Sequence, residues 1–93
     1  MAQTELSPAI ADKLKSLPTT PGNYIYRDAA GKVIYVGKAV NLRSRVRSYF
    51  QAGADHDPKT RILVQHIADL EWIQRETELE ALIHEATLIK QYK

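Results

Sequence analysis

Val33-Ile34-Tyr35-Val36-Gly37-Lys38-Ala39-Val40-Asn41-Leu42-Arg43-Ser44-Arg45-Val46-Arg47-Ser48-Tyr49-Phe50 is a β-branched run that turns a corner at Gly37-Lys38 and enters a helix with three arginines. Val33 to Val36 reads as a strand. Asn41 is a good helix N-cap, and behind it Leu42, Val46, Tyr49 and Phe50 recur at i, i+4, i+7 and i+8. Lys38, Arg43, Arg45 and Arg47 fall in this stretch with no acid among them. Between residues 69 and 80 the balance reverses: Asp69, Glu71, Glu76, Glu78 and Glu80 face Arg75 alone. Such segregation, in a chain whose net charge is only +2, points to a polyanionic partner on one side.

Working outward, Tyr24–Asp28 reads as a first strand, and Ala29–Lys32 as a four-residue hairpin loop with Gly31 free to take positive φ. The second strand is apolar throughout, which predicts a central place in the sheet. Upstream, Ser7-Pro8 has the form of a helix start, with Ile10, Leu14 and Leu17 at helical spacing, until Pro18–Gly22 breaks the pattern. Downstream come a loop over 52–58, a short helix over 59–68 and a third strand over 70–75. Thr77–Glu80 then opens a final helix with capping-box spacing. Leu79, Leu82, Ile83, Ala86 and Ile89 form its expected core stripe. The order α-β-β-α-α-β-α implies an α+β domain with a small antiparallel sheet.

The 93 residues suffice for one domain. We expect residues 1–20 to be an N-terminal helix and linker, and 21–93 the core. There is no cysteine, which excludes disulfides and thiolate metal sites and suits a cytoplasmic protein. No apolar run approaches a membrane span, and the first residues lack the pattern of a signal peptide.

Several residues invite a chemical reading. Glu85 sits on the flank of the last helix's apolar stripe, where a half-withdrawn carboxylate suits a hard cation. Arg45 lies one turn before Tyr49, so a guanidinium and a phenol share a face and could clamp a phosphate. Lys38 follows Gly37 directly, and Tyr24 and Tyr35 lie near one level of paired strands. Glu80 is explained by capping. Asp55-His56-Asp57 reads as a solvated turn rather than a metal site.

Taken in order, Gly22-Asn23-Tyr24, Tyr35-Val36-Gly37, Lys38, Arg45, Tyr49 and Glu85 resemble the GIY-YIG nuclease family. The segments PGNYIYRDAAGKVIYVGKAVNLRSRVRSYF (21–50) and LEALIHEATLIKQYK (79–93) are most similar to its branch in bacterial nucleotide excision repair. The resemblance implies a three-stranded antiparallel sheet flanked by helices, and an endonuclease that makes the 3′ incision beside a lesion in duplex DNA. It implies one Mg²⁺ or Mn²⁺ held by Glu85, with Tyr35 activating the water and Tyr24 its companion. Lys38, Arg45 and Tyr49 would surround the scissile phosphate. Arg43, Arg47, Lys59 and Arg61 would join Lys38 and Arg45 in backbone contacts that carry no sequence preference. It further implies a monomeric domain excised from a longer protein whose partner is UvrB.

Asn23 departs from the apolar middle residue of the motif. The chain also ends before the Pro- and Arg-containing segment and the asparagine that normally follow. If Tyr35 acts as a phenolate, its pKa must fall from about 10, and three units correspond to about 4 kcal/mol. Lys38 and the bound ion are the expected source of that stabilisation. The alternatives are a non-catalytic nucleic-acid-binding module, or a related nuclease that is stand-alone or polymerase-associated.

Overall fold

Asp28 turns the chain between the first two strands. Its carboxylate accepts from the amides of Ala30 and Lys32, each at 3.0 Å. Gly31 takes φ 84°, a conformation open to glycine because it lacks Cβ. The computed structural model describes residues 8–51 and 56–92. It contains α1 (Pro8–Ser16), β1 (Gly22–Arg27), β2 (Val33–Ala39), α2 (Leu42–Phe50), α3 (Pro58–His66), β3 (Asp69–Gln74) and α4 (Glu78–Tyr92). The expected cap Ser7 lies outside the described residues.

The expected caps of α2 and α4 are present. Asn41 Oδ1 accepts from Ser44 N at 3.0 Å. Thr77 Oγ1 accepts from Glu80 N at 3.1 Å, while Glu80 Oε1 reaches back to the amide of Glu76. These bonds satisfy donors that a helix leaves open at its start. α3 begins at Pro58, one residue before the expected Lys59, because Asp57 caps it and accepts from Thr60 N at 2.7 Å.

The sheet is antiparallel with order β2-β1-β3. The expectation of a central β2 is therefore corrected. β1 occupies the centre, paired on both edges, and it is buried from Gly22 to Tyr26. The apolar run of β2 reflects partial cover of its faces, with Tyr35 open to solvent, and not pairing on its two edges. β2 also continues through Gly37, Lys38 and Ala39, so Lys38 is a strand residue.

Alternation along β1 divides the core. Tyr24 and Tyr26 face α1 and α2, packing with Ile10, Leu17, Leu42, Val46, Tyr49 and Leu70. Ile25 faces the other way and packs with Val36 and Leu88. Since Ile10 and Leu17 are core residues, α1 is part of the same body as the sheet.

The stripe expected on α4 is also corrected. Leu79, Leu82, Ile83, Ala86 and Ile89 are exposed, and the helix instead buries Ala81 and Leu88, with His84 and Glu85 half-buried. Apolar residues occur on nearly every side of this helix, so spacing alone left its rotation undecided.

The assignment predicts unequal costs for two similar truncations. Leu88→Ala should destabilise by about 2–4 kcal/mol as a core truncation. Leu82→Ala should stay within about 0.5 kcal/mol. Urea unfolding followed by circular dichroism separates the two.

Candidate functional site

Tyr24 and Tyr26 point to one face of β1, and the register sets Tyr35 of β2 opposite Tyr26. α2 brings Tyr49 onto the same face. The four rings form one cluster: centroids of Tyr24 and Tyr49 are 5.8 Å apart, Tyr24 and Tyr35 6.0 Å, and Tyr26 and Tyr49 5.2 Å. The hydroxyls of Tyr24 and Tyr49 are 3.0 Å apart. Arg45 Nε donates to the Tyr24 hydroxyl at 3.4 Å, and its guanidinium lies 5.5 Å from the centre of the Tyr49 ring. Of the four, Tyr35 alone opens to solvent, at 37% exposure. The predicted set Tyr24, Tyr35, Tyr49 and Arg45 is thus brought together. Tyr26 was missed, although its i+2 relation to Tyr24 was the available signal.

Both motif glycines make room for this cluster and its strand. A Cβ on Gly37 would clash with the hydroxyl end of the Tyr24 ring, and a Cβ on Gly22 would meet the Ile73 carbonyl and the Leu42 side chain. Neither glycine has positive φ, so close packing, not backbone conformation, requires them.

Burial dominates the electrostatics. It raises the pKa of Tyr24 against the opposing hydrogen bonds of Tyr49 and Arg45, and it pushes Tyr49 up to about 12. Tyr35 is also raised, first by burial and then by Tyr49. Lys38 is not among the principal groups acting on the Tyr35 hydroxyl. Lys38 pairs with Asn23 in the register and so belongs to the face of the sheet that carries α4. The phenols are protonated donors at neutral pH. The Tyr24 hydroxyl in turn helps hold the proton on Arg45.

Lys38 and Arg45 nevertheless line one open depression of about 490 Å³ at the end of β2, with Asn41, Ser44, Ser48 and Glu78. Glu78, from the first turn of α4, was not foreseen there. Glu85 stands on α4 between Ala81 and Leu88, half-buried, on the Ile25–Val36 side of the sheet. Its side chain forms no hydrogen bond or ion pair among the described residues, with the phenols or with Lys38 or Arg45. β2 is an edge strand, so its rim is where the two faces adjoin.

The remaining predicted cations divide. Arg43 Nε donates to the Leu17 carbonyl at 2.8 Å, tying α2 to the end of α1. Arg47 reaches the Leu14 carbonyl at 3.5 Å. Lys59 and Arg61 are exposed on α3. His56 Nε2 bonds the Tyr49 carbonyl and Asp57 caps α3, while Asp55 lies outside the described residues. Among the described residues no three His, Asp or Glu side chains gather at a possible metal site. A cation here would keep most of its waters, as Mg²⁺ commonly does on one or two carboxylates. Glu85, a half-buried residue whose carboxylate has no partner among the described residues, fits that role.

A three-stranded antiparallel sheet whose first two strands carry packed tyrosines and close-packed glycines is the GIY-YIG domain architecture. A profile of the UvrC-like GIY-YIG domain matches residues 20–93, and the chain belongs to that family. It is 60% identical over 84 residues to the UvrABC system protein C of Caldicellulosiruptor saccharolyticus, covering 90% of this chain and 14% of that protein. It is 56% identical to the counterpart in Chlorobaculum tepidum, over 91% of this chain and 14% of that protein. The chain thus spans about one seventh of the length of the curated relatives it matches. The GIY-YIG N-terminal endonuclease domain of UvrC from Thermotoga maritima, bound to its catalytic magnesium, superposes with TM-score 0.80 at 37% identity, covering 94% of this chain and 93% of that one. Three further structures of that domain carry a tyrosine-to-phenylalanine change and also hold the divalent cation.

Two outcomes follow from the packing. Gly37→Ala should cost about 1–3 kcal/mol through overpacking against Tyr24, measured by urea unfolding. Because burial raises the folded-state pKa of Tyr24, Tyr35 and Tyr49, the stability they contribute is full below the ordinary tyrosine pKa of about 10. It is lost as pH rises through about 12 for Tyr49. Thermal midpoints should hold to about pH 10 and then fall, with the main phenolate absorbance appearing together with loss of helical signal.

Proposed function

We propose that this chain is a metal-dependent endonuclease domain that hydrolyses a DNA phosphodiester bond, making the 3′ incision beside a lesion in bacterial nucleotide excision repair. The observation that carries the reading is the cluster of Tyr24, Tyr35, Tyr49 and Arg45 beside Lys38 at the rim of β2. It is supported by the magnesium bound to the Thermotoga maritima domain of the same fold. Residues 21–93 form the nuclease core in this reading, and α1 completes its packing. The greater length of the relatives supports a domain working within a longer protein; in this reading that protein is cytoplasmic, with UvrB as its partner and damaged duplex DNA as its substrate.

Glu85 would hold one Mg²⁺ or Mn²⁺. When bound, such an ion stabilises negative charge on phosphate oxygens and lowers the pKa of its water. The chain's own residues supply the rest. Arg45 is exposed yet oriented by Tyr24 and Tyr49, and it can donate to a phosphate oxygen in a fixed direction. Lys38 adds a second cation from the opposite face of the sheet. Tyr35 has the one hydroxyl of the cluster that reaches solvent. It orients the attacking water and takes up its proton while passing its own hydroxyl proton to solvent. Tyr24 and Tyr49 fix Arg45 and the ring of Tyr35. Arg47, Lys59 and Arg61 can contact flanking phosphates. Arg43 is already engaged with Leu17 and contributes chiefly to α2 placement.

The test is incision of lesion-containing duplex by the full-length protein with its repair partners. Glu85→Gln should abolish 3′ incision and leave DNA binding intact. Tyr35→Phe should slow it by about 100-fold or more, in the range of general acid–base contributions, while metal binding persists. Normal incision by Glu85→Gln would refute the proposal.

A further inference from the structure

Asn23 is fully buried in β1, and the core around it is otherwise apolar. Its position in the motif is the one where this chain departs from the apolar pattern, and the phosphodiesterase chemistry gives it no role. Its amide nonetheless reaches β2, α4 and the connection between β3 and α4. Nδ2 donates to the Ala81 carbonyl of α4 at 2.8 Å and to the Gly37 carbonyl of β2 at 3.3 Å. Oδ1 accepts from Arg75 Nε at 2.9 Å. Two carbonyls on one side and a guanidinium on the other admit a single orientation of the amide.

The choice of carbonyl matters. In an α-helix the carbonyl of residue 81 is the acceptor for the amide of residue 85. Asn23 therefore grips α4 at the same oxygen that ties down the backbone of Glu85. Its second bond holds Gly37, the residue on whose other side the Tyr24 ring is packed. Asn23 and Tyr24 are neighbours on one strand. One fixes the helix that carries the carboxylate, and the other opens the phenol cluster. The sheet-facing rotation of α4, with Ala81 and Leu88 inward, agrees with an anchor at Ala81.

We propose that Asn23 is a positioning residue that sets the depth and rotation of α4, and so places the Glu85 carboxylate for its cation, with Arg75 holding the Asn23 amide in register. The proposal rests on the reading of Glu85 as the metal ligand, and its test separates the two.

Mn²⁺ binding to the chain is measured by calorimetry, with melting curves recorded for each variant and titrations made well below every midpoint. Glu85→Gln tests the ligand alone and should abolish binding. Wild-type affinity in that variant refutes the metal reading and the proposal with it. Asn23→Leu, close in volume but unable to hold Ala81 or Gly37, should weaken Mn²⁺ binding about tenfold or more while the fold persists, as loss of ligand-orienting partners does elsewhere. Arg75→Met should shift affinity in the same direction by a smaller factor. A purely structural asparagine would lower the melting midpoint and leave affinity unchanged, and that result in folded Asn23→Leu overturns the proposal. If Asn23→Leu does not fold, unchanged affinity in Arg75→Met overturns it, and weakened affinity supports it.

Discussion

β1 must serve two layers at once. It is paired on both edges and covered on both faces, so each residue from Gly22 to Tyr26 is buried and has an assigned direction. A buried polar group without a partner is costly, and of the polar side chains in this run only the Tyr26 hydroxyl lacks one among the described residues. Asn23 avoids that cost by bonding β2, α4 and Arg75 between β3 and α4, and Tyr24 avoids it by sharing its hydroxyl with Tyr49 and Arg45. The glycines on either side are the geometric consequence: Gly22 admits Leu42 and the Ile73 backbone, and Gly37 admits the Tyr24 ring.

The electrostatic character of the site follows from that burial. Protonated phenols beside a guanidinium form a field of donors, suited to charge that develops on a bound phosphate rather than charge present beforehand. Arg45 is exposed at its tip but oriented at its base, which reduces the freedom it must lose on meeting a substrate oxygen. Lys38 comes from the other face of the same edge strand, so the two cations bracket the rim without competing for one partner.

Local features were readable from the sequence alone. Asn41, Thr77 with Glu80, and the Asp28–Lys32 turn are decided by side chains within a few residues of the backbone groups they satisfy. Tyr24, Tyr35, Tyr49 and Arg45 were likewise legible as a set through motif order. Strand order and helix rotation were not. An apolar run such as Val33–Val36 reports cover on its faces and is silent on whether both edges are paired. α4 carries Leu or Ile on several sides, and its true inward face includes the charged Glu85, which a hydrophobic stripe passes over. Arg43 looked like a solvent-facing cation because its acceptor, the Leu17 carbonyl, lies 26 residues away in sequence. The network at Asn23 spans 14 to 58 residues, beyond the reach of any local pattern.

Tyr24, Tyr26 and Tyr49 belong to the largest apolar cluster and also to the wall of the candidate site. Folding and chemistry therefore draw on the same rings, with no intervening layer to insulate one from the other. Adaptation of such a domain to heat or cold cannot proceed by repacking this interior freely, since each change of ring shape also moves a hydroxyl. The available latitude lies at the periphery: in helix caps, in the outward side of α4 and in the hairpin turn.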